Sequence, residues 1–414
     1  MSLFKKKKEP TEVEVSEKNV GLRITFAAVF LVIGLIALGF FLIQLLGEDA
    51  GWQTIEPSDK SFVTADEIVL NYDLGQGELS ATAEKRELQK AYTAALSRVY
   101  KLFDARVAYE GLVNVNHINR HPGEILTVDP DLYAAFALLE SYGDRSVYLA
   151  PIQAQYRNLF SCTDDITAAS LDPRKNEEAK ALVSELAAFA SDPAAIRIEL
   201  LGSNQLRLTV SETYLAYAKE HEIETVVDFS RLMNAFVVDA VADELMAKGY
   251  TRGYLSSYDG YTRYLDAESN SYTVHVYDRV DKTVYPAAQL ECVNVGALVQ
   301  MRDYPLRNYD AGDYYGYADG SYASRYLGMD GLYRTALHDL TAYSEDKGCA
   351  ELALTLSAVF IAEETDEGKL TEAASRGIFA VWCADRVVRF TDGSMTPKKL
   401  YSDDTVQYVS QAHP

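Results

Sequence analysis

The sequence predicts a mixed α/β (α+β) domain carried behind a single N-terminal transmembrane helix. Three observations predict it. An uncharged apolar run extends from Ile24 to Leu46. The stretch Val226 to Arg263 (VVDFSRLMNAFVVDAVADELMAKGYTRGYLSSYDGYTR) changes from strand-like to helical patterning and back. Period-two alternation at Ile196 to Val210 and Tyr272 to Tyr277 is interleaved with segments of helical period.

The apolar run covers about 23 residues, enough at 1.5 Å rise to cross a bilayer core of roughly 30 Å. Gln44, near its end, is its only strongly polar residue. Lys5 to Lys8, Lys18 and Arg23 precede it, and Glu48 and Asp49 follow. Basic flanks stay in the cytoplasm, so residues 1–23 are expected to be a basic cytoplasmic tail and the main domain to be extracytoplasmic, at the cell membrane. A cleaved signal peptide fits less well, because the run is long, no small-x-small site follows and no Cys is present for lipidation.

Residues 47–80 are expected to form a stalk and a first strand, residues 81–395 the main domain, and residues 396–414 a tail. The chain carries a net charge of −22, which argues against nucleic acid as a partner because phosphate would be repelled. Cys162, Cys292, Cys349 and Cys383 are far apart with no His nearby, so a zinc site is not expected. Small buried thiols and one or two disulfides both fit.

Ala81 to about Asp104 reads as a helix through Leu88, Ala91, Ala95, Val99 and Leu102. Asn114 to Asn119 reads as a loop. Asp129-Pro130 opens another helix, with Asp as N-cap and Pro at the first helical position. Thr163 to Glu178 reads as a polar linker. Ile196–Leu200 and Leu206–Val210 form a hairpin around Gly202-Ser203-Asn204, and Ser211 caps a short helix ending near His221. A short strand ends at Asp228, and a helix runs from about Ala235 to Lys248, stopped by Gly249. Gly253 to Ser257 is a strand ending in a tight Asp259-Gly260 turn. Leu290 to Met301 and Gly377 to Phe390 each read as a strand. Asp303 to Tyr333 is rich in Tyr, Gly and Asp.

The unit around Asp228, Ser230-Arg231, Met233-Asn234-Ala235 and Asp259-Gly260-Tyr261 resembles the centre of the ApbE family, the FAD:protein FMN transferases. The resemblance covers roughly residues 83–362. It takes in Asn114 to Asn119, the Asp-Pro-x-Leu-Tyr start at 129–133 and the Pro-containing segment at 149–152. It implies an α/β fold of antiparallel sheets packed by helices. It also implies cofactor-binding positions at Asp228, Ser230, Arg231, Asn234, Asp259 and Gly260, with FAD or FMN as cofactor. A Mg²⁺ site would use Glu351 and Thr355, spaced as in the family's D-x-x-x-T pair, with a backbone carbonyl from Met233.

The chemical positions depart from that pattern. Ser230-Arg231 replaces a Gly-Gly pair, adding side chains where backbone would approach phosphate. Arg231 has two readings, a bidentate phosphate ligand or an ordinary salt-bridged Arg. Asn234 stands in place of a Lys, and Asp259 in place of a Gly, where its charge would repel phosphate. No His falls in Ser324 to Gly331, where the family's catalytic His belongs, so no catalytic residue is assigned. His338, on a helical-looking stretch beyond, is a weak substitute. The Glu351/Thr355 pair can equally be a first-turn Glu and a Thr bonded to its own helix. Asp239 and Asp243 share a helix face as a carboxylate pair or as a solvated face. Tyr304, Tyr309, Tyr314, Tyr315, Tyr317, Tyr322, Tyr326 and Tyr333 fit either a stacking surface or ordinary packing.

The expected protein is therefore a membrane-anchored ApbE-like pseudoenzyme, with flavin transfer weakened or lost, that binds flavin or a protein partner. Two alternatives remain open. One is an active Mg²⁺-dependent transferase attaching FMN to Thr or Ser of an exported flavoprotein. The other is a cell-surface structural protein that binds a surface partner.

Overall fold

In the computed structural model, the residues described are 20–46, 50–62, 64–266, 271–306, 312–392, 397–402 and 406–413. Residues 1–19 of the expected tail, with Lys5 to Lys8 and Lys18, and Tyr309 of the tyrosine run lie outside them.

A nine-stranded sheet organises the chain, and its strands lie side by side in chain order. They are Gly51–Ile55, Ile68–Leu74, Gly253–Ser257, Tyr261–Tyr264, Ala297–Arg302, Asp339–Ser344, Phe379–Ala384, Val387–Phe390 and Val409–Ala412. Neighbours are antiparallel except the last pair, which is parallel. Successive side chains point to opposite faces of a strand, and this sheet buries both. Val299, Met301, Ala342, Ala380 and Trp382 face the helical core. Leu298, Tyr343, Val381 and Val388 face a smaller core shared with the hairpin Ser271–Val280/Thr283–Val293.

The helices fill the first face. Met233–Ala247 lies on the strands Gly253–Ser257 and Tyr261–Tyr264 and packs against Ala81–Phe103 on one side and Cys349–Phe360 on the other. Its Val237, Val238, Val241, Ala242 and Leu245 are wholly buried, as the predicted apolar face requires. The 178 residues between the second and third strands (75–252) carry most of the other helices and a small sheet of Leu126–Thr127, Gln205–Val210 and Ile196–Gly202. Asp129 caps Pro130–Tyr142 and Ser211 caps Glu212–Glu220 through their side chains, as expected.

The N-terminal helix spans Val20–Leu46, 27 residues, and exposes Ile24, Phe30 and Leu35. Side chains of several of its residues lie outside the described set, and among the described residues no helix is long and apolar enough to cross a membrane.

Several sequence expectations are corrected. Asn114 to Asn119 is not a loop but the helix Val115–Arg120 with Asn114 as its N-cap. The linker expected at 163–178 contains the helix Asp165–Leu171, capped by Asp164. Part of the expected stalk is the sheet's edge strand, Gly51–Ile55. Leu290 to Met301 is two strands parted at Asn294, which has a left-handed φ of 57°. Gly377 to Phe390 is a hairpin turning at Asp385 and Arg386, both at positive φ. Residues 226–228 form no strand, because the Val226 and Val227 amides donate to Asn119 Oδ1 at 3.1 and 2.8 Å instead of to a sheet neighbour.

Candidate functional site

Asn119 also donates its amide to the Val227 carbonyl at 2.8 Å, so a side chain from one helix fixes the backbone leading to Asp228. Asp228 then accepts from the Ser230 amide at 2.8 Å, closing a tight turn. Ser230 has φ 46°, a left-handed conformation that a side chain disfavours by about 1–2 kcal/mol. The backbone thus keeps a glycine-type shape without glycine. The Ser230 hydroxyl is buried with no hydrogen-bond partner among the described residues.

This turn borders a cleft of about 580 Å³. Asp228, Ser230, Arg231, Met233, Asn234 and Asp259 all line it, so six of the nine residues singled out in the sequence converge. Gly260 lies in the adjoining turn at φ 103°, where a Cβ would overlap the Gln300 carbonyl. That glycine is required by backbone crowding.

Glu351 and Thr355 do not line the cleft. Glu351 Oε1 accepts from the Tyr142 hydroxyl at 3.1 Å and lies 3.8 Å from Lys347 Nζ. Thr355 Oγ1 donates back to the Glu351 carbonyl at 2.8 Å. Arg376 donates to Tyr142 at 2.8 Å, so two cationic side chains already serve this patch. Met233 lines the cleft whereas Glu351 and Thr355 do not, so the three residues that the resemblance assigns to Mg²⁺ do not converge on it.

Arg231 borders the cleft, but its guanidinium is buried and donates to Ser357 Oγ at 2.9 Å. Its carbonyl accepts from Tyr261 at 2.8 Å. It braces the turn against the helix Cys349–Phe360, which favours the ordinary structural reading of this Arg.

Asp259 does not present a bare charge. The buried Arg325 reaches it at 3.2 Å and Asp313 at 3.0 Å. Burial opposes the Arg325 charge, yet Asp313 and Asp259 hold its pKa well above the ordinary value. The expected repulsion between Asp259 and phosphate is therefore largely offset. Glu67, beside them, has its pKa raised, first by burial and then by Asp259, while the Asn234 amide at 3.3 Å opposes the shift. Asn234, standing where the family has Lys, thus steadies a carboxyl.

Sequence reasoning missed Glu67, Arg325, Asp313, Arg106 and Arg157, all of which line the cleft. Arg325 sits in the His-free segment Ser324 to Gly331, where a lone Arg among Tyr and Gly was the available signal. The cleft presents Asp66, Glu67, Asp104, Asp228, Asp259 and Asp313 against four arginines.

His338 does not line the cleft. It immediately precedes the strand Asp339–Ser344, not on a helix, and pairs with Asp303 at 2.8 Å. Asp239 is not part of a solvated pair. It accepts from the Cys349 and Ala350 amides at 2.8 and 2.9 Å, capping that helix, and Arg263 bridges it to Asp243. The described tyrosines mostly pack inward: Tyr317 and Tyr333 donate to the buried Asp172, and Tyr314 to the Arg302 carbonyl. Cys162, Cys349 and Cys383 are free thiols. A second groove, about 590 Å³, follows the outer face of Ala81–Phe103 between Arg86 and Lys101 and touches none of these residues.

No family model and no curated protein matches the sequence. Solved structures do match. The ApbE protein of Thermotoga maritima superposes with a TM-score of 0.54 at 12% identity, covering 81% of this chain and 94% of that one. A variant of the flavin transferase ApbE from Vibrio cholerae gives 0.52 at 15% identity, covering 83% and 97%. At such identities the likeness is one of fold, and this chain carries a divergent ApbE-like fold.

Proposed function

We propose that this chain is a membrane-anchored, extracytoplasmic binding protein on an ApbE-like scaffold, in which flavin transfer has been weakened or lost. One observation carries the reading: Glu351 and Thr355, the side chains that the resemblance assigns to a metal, do not line the cleft where Asp228, Ser230, Asn234 and Asp259 gather. A transferase of this type needs a cation against its diphosphate, since developing charge is stabilised only by groups already aimed at it. The cleft does retain what a binding module needs, namely enclosed volume, aromatic surface at Tyr100, Phe160 and Tyr258, and a few buried polar groups.

The anchor reading is supported by the uncharged run and basic flank of the N-terminal segment and by the exposed apolar side chains of its helix. The test uses the full chain in detergent with FAD or FMN, with and without Mg²⁺, and an acceptor peptide containing Thr. A flavin that raises the melting temperature without AMP release or covalent flavin supports the proposal. Mg²⁺-dependent AMP release favours the active transferase, and no shift with any flavin removes flavin as the ligand.

A further inference from the structure

The sheet's second face is left open at one edge. Side chains alternate along the strands Gly51–Ile55, Ile68–Leu74 and Gly253–Ser257. Ile55, Leu70, Tyr72 and Leu255 turn to the helical core, which puts Trp52, Asn71 and Tyr254 on the opposite face. The hairpin Ser271–Val280/Thr283–Val293, which covers that face farther along, contributes only its first residues, Ser271 and Tyr272, here. What remains is a cleft of about 370 Å³ walled by three rings. Trp52 is 50% exposed, whereas the other tryptophan, Trp382, is buried. Its ring centroid lies 6.1 Å from those of Tyr254 and Tyr272, which stand 5.3 Å apart and nearly perpendicular, at 78°. The buried Tyr264 touches both tyrosines, at 5.9 and 4.4 Å, and the Tyr272 hydroxyl donates to Asp266 at 2.6 Å. The rings are thus set before any ligand arrives, and donation to a carboxylate enriches the Tyr272 π-face.

Among the described residues, no carboxylate, Lys, Arg or His lines this cleft, so a phosphate, a metal ion or a charged peptide finds no counter-charge in it. The rings touch one another instead of framing a gap, so a quaternary ammonium has no cage between them. Uncharged hydrogen-bonding groups are present. Thr54 donates to Asn71 Oδ1 at 2.9 Å, which leaves the Asn71 NH₂ with no protein partner among the described residues. We infer that this cleft binds a neutral carbohydrate. A pyranose with equatorial hydroxyls presents axial C–H groups to an aromatic face, whose quadrupole is negative, and a rim of hydroxyls to Asn71 and Thr54. Aromatic surface with a few fixed polar groups is what holds and orients such a ring. The site shares no residue with the cleft at Asp228, so the inference goes beyond the flavin reading and does not depend on it.

The test follows tryptophan fluorescence and calorimetry of the full chain in a detergent without a sugar head group. The probes are cellohexaose, chitohexaose and, as the anionic counterpart, a hexamer of β-linked glucuronic acid. At least one neutral chain should bind, change the Trp52 fluorescence and bind more tightly than the anionic chain. Trp52→Ala should weaken that binding about tenfold and remove the fluorescence response, with Trp52→Phe restoring part of the affinity. Its melting temperature should change little, because the indole is half exposed. Asn71→Ala should weaken binding roughly threefold. Binding of neither neutral chain, unchanged binding in W52A, or tighter binding of the anionic chain would overturn the inference. In phosphatidylcholine nanodiscs, a blue shift of Trp52 with no response to either neutral chain would assign the rings to the lipid surface and overturn it too. A β-glucosyl lipid added to the nanodiscs separates the two sources of such a sugar. Loss of the cellohexaose response supports a membrane-borne head group in this cleft, and an undiminished response supports a free chain there.

Discussion

Replacing Arg325 by Gln should destabilise the protein through the charge it leaves behind. Arg325 is buried and serves Asp259 and Asp313 together. Removing one partner of a buried ion pair costs about 3–5 kcal/mol, chiefly from the stranded charge. The two carboxylates do not count equally. The Asp313 side chain is 40% exposed and water screens it, whereas that of Asp259 is 13% exposed. The loss therefore comes mainly from Asp259 and should lie near the lower bound, about 3 kcal/mol, a fall in melting temperature of roughly 5 °C. Asp259→Asn in the same background removes the stranded charge, so the pair should show a coupling of about 2 kcal/mol. Urea unfolding of the full chain in detergent for the wild type, both single variants and the double variant measures this directly. A loss below about 1 kcal/mol in R325Q, with no coupling to D259N, would refute the claim that Asp259 is neutralised internally.

Other consequences follow from the same geometry. Ser230→Gly relieves a left-handed backbone and a partnerless hydroxyl, so it should be neutral or stabilising by about 1 kcal/mol, and Ser230→Val destabilising in the same unfolding assay. Gly260→Ala should cost about 3 kcal/mol, since a Cβ meets the Gln300 carbonyl; a near-neutral result would mean the turn can shift. Glu351→Ala should lower the melting temperature by the same amount with and without Mg²⁺, and a loss confined to Mg²⁺-containing buffer would contradict the internal network. Asp339 is wholly buried, and burial pushes its pKa up to about 7 against the opposing Arg302 charge. Because the folded value lies above the unfolded one, its contribution is fully present below about pH 4 and is lost as pH rises through 7. Asp339→Asn should therefore match the wild type at pH 4 and exceed it by about 4 kcal/mol at pH 8.

Local chemistry made some of this fold legible. Asp129-Pro130 and Ser211 announced their helices because capping needs only neighbouring atoms. The face of Met233–Ala247 was visible because five apolar residues recur at helical spacing. The failures share a different cause. The segment before Asp228 has strand-like residues, yet its amides are satisfied by Asn119, about a hundred residues away. The breaks at Asn294 and Asp385-Arg386 depend on positive φ values. Asn294, followed closely by Gly296, was a readable turn signal; an Arg in left-handed conformation was not. In the site, Asp228, Ser230 and Asp259 were found because they occupy a local frame. Glu67, Asp313 and Arg325 reach it from distant segments, and no local pattern links them. The Glu351/Thr355 pair had the right spacing, but spacing does not reveal that Tyr142 and Lys347 occupy it.

On the proposed reading, the cleft has been kept while Glu351 and Thr355 serve an internal network. The most direct measurement is AMP release from FAD by the full chain in detergent with Mg²⁺ and a Thr-containing acceptor, run beside Thr355→Ala. Neither protein should release AMP above the uncatalysed background. Release by the wild type that Thr355→Ala abolishes would contradict that reading.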